Sequence, residues 1–140
     1  ALIEEAVALC AEPLVCDQVE YHPYLDQTKV REACMRHSMA LVAYSPVARG
    51  RIKSDRALLR IGDRYRKTAA QVILRWHLER GVSAIPKSVK PHRIAENIDV
   101  FDFALTPAEV AAVDSLDTGV RGGPDPEAID TKLYTKTIPD

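Results

Sequence analysis

Residues 85–97 read Ile-Pro-Lys-Ser-Val-Lys-Pro-His-Arg-Ile-Ala-Glu-Asn. The apolar residues that end at Ile85 predict a short strand, and the second half of the stretch predicts a helical turn. Between the two, Lys87, Ser88 and Arg93 place an ammonium, a hydroxyl and a guanidinium within seven residues. These groups bind phosphate, and anions bind readily where a helix begins, because free backbone N–H groups point outward there. The stretch therefore predicts a phosphate site at the carboxyl end of a strand in an α/β protein.

Two further short apolar stretches, residues 14–21 and 41–45, predict strands of the same sheet. Each is followed by a helical pattern, the first over 27–37 with Asp26 as its expected cap. Strands that alternate with helices in this way form right-handed crossover units and a parallel sheet. We therefore expect three adjacent parallel strands in sequence order, the third over 82–85.

Two later helices carry clear start signals. Thr68 followed by Gln71 predicts a capping box, and Gly81 predicts the end of the helix that it opens. Thr106, followed by a proline and then by Glu109, predicts the start of another helix. These local signals fix the boundaries of the helical segments more firmly than hydrophobic periodicity alone.

Composition narrows the classes of function. The 140 residues carry a net charge of −1 with a pI near 6.5, which gives no pull toward nucleic acid or an anionic membrane. Basic residues between 49 and 67 are balanced by acidic ones elsewhere, which favours a solvated face over a nucleic-acid site. The odd number of cysteines predicts buried thiols of a reducing compartment rather than disulfides. The histidines lack ligand spacing, so we expect no metal site.

Three stretches together resemble the aldo-keto reductase family, the NADPH-dependent carbonyl reductases built on a (β/α)8 barrel. Pro-Lys-Ser, followed by Arg93, Glu96 and Asn97, resembles the last barrel strand and the site for the adenosine 2′-phosphate. Residues 18–24, Gln-Val-Glu-Tyr-His-Pro-Tyr, resemble the sixth strand and its exit loop. Residues 41–46, Leu-Val-Ala-Tyr-Ser-Pro, resemble the seventh strand. The stretches follow the family's order and spacing over nearly the whole chain.

The resemblance assigns roles to the residues around the predicted phosphate site. It implies that Lys87 and Arg93, with Ser88 beside them, hold the 2′-phosphate and favour NADPH over NADH. It also implies that Glu96 and Asn97 form hydrogen bonds to the adenine. The alternative is a solvated basic turn, which is the usual reading of such residues taken singly.

At the other end of the cofactor, the resemblance implies that Tyr44 stacks on the nicotinamide and that Gln18 binds its carboxamide. It places Ser45 and the loop over 46–51 near the pyrophosphate, where Arg49 and Arg51 could neutralise charge. Taken without the resemblance, Tyr44 is equally well read as a core tyrosine. Gln18 lies in the middle of a strand, where a polar side chain is costly unless it finds a partner.

A closed barrel of this type typically needs about 250 residues, and this chain begins inside an amphipathic helix without a cap. We therefore expect the C-terminal portion of a (β/α)8 TIM barrel, with three parallel strands and flanking helices over 1–118 and a loose C-terminal tail over 119–140. The family's catalytic aspartate, tyrosine, lysine and histidine lie in the first half of the barrel. No residue here matches their motifs, and Tyr21, His22 and Tyr24 are not candidates for them.

The resemblance implies that the intact protein is a cytoplasmic NADPH-dependent reductase whose partner is a small-molecule carbonyl substrate. The fragment alone is expected to be inactive, and its exposed barrel edges offer surfaces for self-association. A second reading stays open. The chain could be a stand-alone half-barrel that binds nucleotide or associates with itself, without catalysis.

Overall fold

The computed structural model describes residues 2–128, and a three-stranded parallel sheet lies at its centre. The strands are β1 (Cys16–Glu20), β2 (Ala40–Tyr44) and β3 (Ser83–Ala84), and they are neighbours in that order. Both pairings are parallel. The predicted adjacency, direction and order are therefore confirmed, although β1 and β3 are shorter than their predicted stretches and β2 begins and ends one residue earlier.

Six α-helices flank this sheet within the described range, and two short 3₁₀ segments, Ala48–Ser54 and Pro126–Ala128, complete it. The crossover from β1 to β2 runs through the second helix, and the crossover from β2 to β3 runs through the third and fourth. No helix in residues 2–128 is long and apolar enough to cross a membrane. The helices are α1 (Leu2–Leu9), α2 (Thr28–Arg36), α3 (Arg56–Tyr65), α4 (Ala69–Glu79), α5 (Pro91–Ile98) and α6 (Pro107–Asp114).

The start signals predicted for α4 and α6 are confirmed. The Thr68 hydroxyl accepts from the backbone N–H of Gln71, and the Gln71 side chain accepts from the backbone N–H of Thr68. Thr106 and Glu109 form the same reciprocal pair. Gly81 follows the end of α4 with a φ of 68°, the left-handed conformation that glycine adopts without steric cost.

The predicted cap of α2 is wrong by one residue. The N-cap is Gln27, and no side chain caps this helix. The Oδ1 atom of Asp26 instead accepts from the backbone N–H of Thr28 at 3.0 Å and from its hydroxyl at 2.7 Å. This local turn uses the aspartate before the helix begins, which is the usual competition between aspartate turns and caps.

The core joins the end of β1 to α4. Tyr21 is buried, and its ring centroid lies 5.3 Å from that of Trp76 and 5.2 Å from that of His77, edge-on in both cases. The indole N–H of Trp76 donates to Oδ1 of Asp114 at 2.7 Å, which ties α4 to α6. Aromatic edge contacts and a satisfied indole stabilise such a core beyond its buried area. The loop after β1 is therefore anchored to the helical layer.

Both edges of the sheet are open, and apolar side chains lie beside them. Ile98 and Phe101, beyond β3, are 68% and 67% exposed. The prediction of buried cysteines is wrong for Cys10 and Cys16, which are exposed, and right for Cys34. Cys16 lies two residues before Gln18 and so on the same face of β1, which the described residues leave uncovered at both positions.

Residues 117–123, called the return segment below, run back across the carboxyl end of β1. The carbonyl oxygen of Tyr24 accepts from the backbone N–H groups of Thr118 and Val120, both at 3.2 Å. The tail that we expected to be loose is therefore fastened at its start. Residues 129–140 of that predicted tail lie outside the described residues.

Candidate cofactor site

Two of the predicted site residues lie on the open face of the sheet. Gln18 pairs with Val42 and Glu20 pairs with Tyr44, and side chains at alternate positions of a strand share a face. These four side chains therefore lie on one side, whereas the alternate residues of β2 are buried on the other. Gln18 is exposed on this face, so its amide remains accessible to solvent and the desolvation cost expected for a mid-strand polar residue does not arise.

The backbone leaves β2 through several left-handed residues. Ser45, Ala48 and Arg49 have φ angles of 48°, 47° and 52°, and Gly50 has a φ of 85°. Each non-glycine residue in this region costs about 1–3 kcal/mol, and such strain concentrates at ligand sites. The loop predicted to pass near the pyrophosphate therefore has a backbone that its residues would not adopt by preference.

Contacts to the exit loop of β1 hold this strained loop in place. The guanidinium of Arg51 lies 5.7 Å from the ring centroid of Tyr24, and the Tyr24 hydroxyl donates to Oδ2 of Asp55 at 3.0 Å. Burial, followed by the bond to Asp55, raises the pKa of Tyr24 to about 12. The other carboxylate oxygen of Asp55 caps α3. Arg51 is thus engaged with a tyrosine ring, while Arg49 is exposed.

The residues of the predicted phosphate site lie between the end of β3 and the start of α5. Lys87 and Arg93 are exposed, and no ion pair within residues 2–128 involves either of them. The hydroxyl of Ser88 accepts from the backbone N–H of Lys90 at 3.1 Å, which turns the chain into the helix. Lys90 is the N-cap of α5 and makes no side-chain cap bond. Lys87 therefore precedes the start of α5 and Arg93 lies in its first turn, on either side of an N-cap residue whose side chain makes no cap bond.

The predicted adenine residues lie on α5. Arg93, Glu96 and Asn97 are spaced by three and four residues, so they share one face of the helix. Asn97 also lines a groove of about 690 Å³ between the end of β3 and α5, together with Lys87 and Ser88. All the other residues that line the groove are apolar, and Arg93 and Glu96 lie outside it.

The eight predicted residues therefore form two groups at the same end of the sheet. The first group is Gln18, in the middle of β1, with Tyr44 and Ser45 at the end of β2. The second is Lys87, Ser88, Arg93, Glu96 and Asn97, after β3 and on α5. A backbone hydrogen bond of 3.1 Å from Ile85 to Ala43 extends the sheet between the two groups.

Sequence reasoning missed a buried carboxylate beside the first group. Glu20 is 2% exposed, and its Oε1 accepts from the Gly122 N–H at 2.8 Å and from His22 Nε2 at 3.0 Å. Its Oε2 accepts from the Gly123 N–H at 2.8 Å. Burial raises the pKa of Glu20, but the two glycine N–H groups and His22 outweigh it, and the net pKa is lowered. The Gly-Gly pair after Arg121 is the feature of the sequence that could have indicated a close backbone approach to such a group.

A second missed residue, His77, lies beneath the strained loop. It is fully buried, and its Nε2 lies 3.5 Å from the carbonyl oxygen of Pro46. Because a carbonyl only accepts, this contact is a hydrogen bond in the tautomer that carries its proton on Nε2. Burial lowers the pKa of His77 to about 4. Within the described part of the chain, no cluster of three or more histidine, cysteine or acidic residues could hold a metal ion.

Comparison with known proteins places the chain among relatives twice its length. The sequence model of the Aldo/keto reductase family matches residues 2–118. The chain is 42% identical over 118 residues to a glyoxal reductase of Bacillus subtilis, covering 84% of this chain and 42% of that protein. It is 40% identical over an alignment of 149 residues to a morphine 6-dehydrogenase of Pseudomonas putida, covering 97% of this chain and 50% of that protein.

Solved structures also match this chain over about half of their own length. A Gox0644 mutant crystallised in complex with NADPH superimposes with a TM-score of 0.86 at 36% identity, over 91% of this chain and 48% of that one. A putative 2,5-diketo-D-gluconic acid reductase B superimposes with a TM-score of 0.84 at 44% identity, over 88% of this chain and 45% of that one. The chain therefore spans about half the length of the relatives that it matches.

Proposed function

This chain belongs to the aldo/keto reductase family, and we propose that the whole protein is an NADPH-dependent oxidoreductase that reduces aldehydes or ketones to alcohols. Its (β/α)8-type topology is present here as three parallel strands and their helices. In this proposal, the chain holds most of the cofactor, and its open sheet face borders the carbonyl substrate.

The observation that carries the proposal is the pair of cations at the start of α5. Lys87 and Arg93 make no ion pair within residues 2–128, and the helix start between them is uncapped. Guanidinium and ammonium groups fit a phosphate dianion in charge and in hydrogen-bonding geometry. Asn97 and Glu96, on the same helix, offer both a donor and acceptors to an adenine edge. These residues therefore fit the adenosine 2′-phosphate end of NADPH.

At the other end, Gln18 and Tyr44 face the open side of the sheet. The Gln18 amide can both donate to and accept from a carboxamide, and the Tyr44 ring can cover one face of a flat heterocycle. When bound, the cofactor supplies a hydride to the carbonyl carbon of the substrate. Tyr44 would leave one face of the nicotinamide open for that transfer. The strained loop after Ser45 would bring backbone N–H groups and Arg49 toward the pyrophosphate.

We assign proton donation to groups outside this chain. The chain covers 42% and 50% of the two relatives described above, and the resemblance of its sequence to the family assigns it none of the acid–base residues. General acid catalysis needs a group within hydrogen-bond reach of the substrate oxygen. We therefore propose that carbonyl reduction belongs to the whole protein and that residues 1–140 alone are inactive.

A second candidate is a half-barrel that binds nucleotide or associates with itself without catalysis. The exposed apolar residues along the β3 edge, Ile85, Ile98 and Phe101, favour self-association. The two candidates share the phosphate site, so cofactor binding by this chain alone does not separate them. Turnover of a carbonyl compound by the whole protein would separate them, because only the first candidate includes catalysis.

The test is a calorimetric titration of the chain with NADPH and, separately, with NADH. The two molecules differ only in the 2′-phosphate, so the proposal expects NADPH to bind about ten- to a hundredfold more tightly. As a simpler pair, adenosine 2′,5′-bisphosphate and 5′-AMP also differ only in the 2′-phosphate, so they should show the same ratio without any contribution from the nicotinamide. Equal affinities within each pair would remove the basis for assigning NADPH.

A further inference from the structure

The return segment meets the sheet at one carboxylate. Glu20 lies at the end of β1, and both of its oxygens are occupied, Oε1 by Gly122 and His22 and Oε2 by Gly123. Two successive backbone N–H groups that point to one anion form a concave binding site, a nest. Here the anion belongs to the same chain, 102 residues before Gly122. The end of β1 is thus bound to the return segment by a charge-assisted pair of bonds.

The two glycines allow this approach. A Cβ on residue 122 would lie 2.9 Å from Oε1 of Glu20. A Cβ on residue 123 would lie 3.2 Å from Oε2 and 3.4 Å from the hydroxyl oxygen of Tyr44. A side chain at 122 would displace a carboxylate that is pinned by three hydrogen bonds, because real Cβ contacts are not this short. The Gly-Gly pair is therefore matched to the position of Glu20.

The same geometry brings the return segment next to a predicted cofactor residue. Glu20 and Tyr44 are partners in the pairing of β1 with β2, so their side chains lie side by side on the open face. Gly123 is close to the hydroxyl end of Tyr44, and Arg121 and Pro124 line the same groove as Gln18 and Tyr44. The segment forms a wall along this part of the open face.

We propose that Glu20 is a positioning residue: by binding the N–H groups of Gly122 and Gly123, it fixes the return segment as a wall over the hydroxyl edge of Tyr44. That wall limits the side from which a carbonyl compound reaches the nicotinamide end of the site. The inference rests on the proposed function, because it takes Tyr44 as the residue beside the nicotinamide. The bonds from Glu20 to the return segment form without any ligand, so they are tested separately from cofactor binding.

The first experiment measures these bonds in the chain without cofactor. In Glu20→Gln, the amide nitrogen replaces one acceptor oxygen, so one of the glycine N–H groups loses its partner. Hydrogen exchange of residues 117–123 should become about ten- to a hundredfold faster, and the ¹H–¹⁵N signals of Gly122 and Gly123 should shift strongly. Gly122→Ala should act in the same way. Glu12→Gln, which removes an exposed carboxylate elsewhere, is the matched control and should change neither readout.

Protection of α4 reports whether each variant folds. If Glu20→Gln lost protection across residues 69–79 as well, Gly122→Ala would decide the question, because it leaves the carboxylate in place. Unchanged exchange over residues 117–123 in a folded variant would overturn the proposal.

The second experiment measures access to Tyr44 by nitration, read out by mass spectrometry. Loss of the wall should increase nitration of Tyr44 several-fold in Glu20→Gln, while Tyr65, whose hydroxyl donates to Glu109 at 2.7 Å, should be unaffected. Equal nitration of Tyr44 in both proteins would show that the return segment does not shield it, and the proposal would be wrong. If both experiments gave the expected results but NADPH bound weakly, the proposed function would be contradicted and the role of Glu20 would not.

Discussion

The ammonium nitrogen of Lys67 lies 2.9 Å from Oδ2 of Asp99, so the turn before α4 is tied to the residue that ends α5. Lys67 also donates to the backbone carbonyl of Asp99 at 3.2 Å and to Oδ1 of Asp102 at 2.8 Å. Hydrogen bonds to Asp102 and Asp99 raise the pKa of Lys67. No residue of α5 is fully buried. The helix that carries three of the predicted cofactor residues therefore depends on contacts at its C-terminal end.

Replacing Lys67 should loosen α5 without unfolding the protein. Lys67→Met keeps the length of the side chain and removes the ammonium, so amides of residues 91–98 should exchange faster, by up to about fivefold. NADPH affinity should fall by a similar factor, because Arg93, Glu96 and Asn97 are then less well positioned. Lys29→Met, at an exposed lysine on α2, is the control. Unchanged exchange of α5 in the Lys67 variant would show that packing alone holds the helix.

Replacing Arg93 should discriminate between the two nicotinamide cofactors. Arg93→Ala removes a charge-assisted pair with the 2′-phosphate, so NADPH should bind about ten- to a hundredfold more weakly while NADH scarcely changes. Lys87→Ala should act in the same direction, and Arg56→Ala, at an exposed arginine of α3, should not. Tyr44→Ala should weaken both cofactors, because the nicotinamide is common to them. A loss of NADH binding as severe as that of NADPH in Arg93→Ala would indicate a structural defect instead.

The buried imidazole of His77 predicts a loss of stability in acid. Burial lowers its folded-state pKa to about 4, while the unfolded chain has the ordinary value of about 6.5. Between these two values the unfolded state binds the proton more readily, so the free energy of unfolding falls as the pH falls from about 6.5 to about 4. The gap corresponds to about 3 kcal/mol. Urea denaturation at several pH values measures it.

The control for this prediction is His77→Phe, which keeps a ring of similar size and removes the titrating group. The variant loses the bond to Pro46, so it should be less stable at pH 7. Its stability should, however, depend less on pH between about 6.5 and about 4 than that of the natural sequence. If both proteins lose stability in parallel over this range, groups other than His77 are responsible.

The open β3 edge predicts association of the chain with itself. Ile94, Ile98 and Phe101 are each more than half exposed, and such a contiguous apolar surface favours contact with another apolar surface. Ile98→Lys should lower both the average mass in light scattering and the binding of the dye ANS. Leu59→Lys, at an exposed leucine on α3, should change them much less. A monodisperse monomer with a cooperative melt would contradict this prediction.

Local patterns in the sequence were sufficient for the framework. The capping pairs at Thr68 and Thr106 span three residues each, and their hydrogen bonds need no distant partner. The parallel direction of the strands could also be predicted, because a helix between two strands of one sheet forms a crossover connection. Asp26 shows the limit of such signals, because an aspartate before a helix can bind the backbone of the next turn or cap the helix, and the two uses have the same sequence pattern.

Contacts between distant residues could not be predicted in this way. No residue near Glu20 in the sequence indicates that its carboxylate accepts from the backbone N–H groups of Gly122 and Gly123. The exposure of Gln18 and Cys16 likewise depends on what covers their face of the sheet rather than on the residues of β1 itself. The roles of the eight cofactor residues stay predictions.

The distance along the chain between Glu20 and Gly122 also has a consequence for synthesis on the ribosome. Contacts between residues far apart in sequence form late, because the intervening chain must first be made and its ends brought together. β1 and β2 can pair once residue 44 has emerged, yet the carboxylate of Glu20 then has no glycine N–H groups to accept from. A nascent chain therefore keeps the carboxyl end of β1 uncovered until the Gly-Gly pair has left the exit tunnel, and completion of this part of the fold waits for synthesis of the return segment.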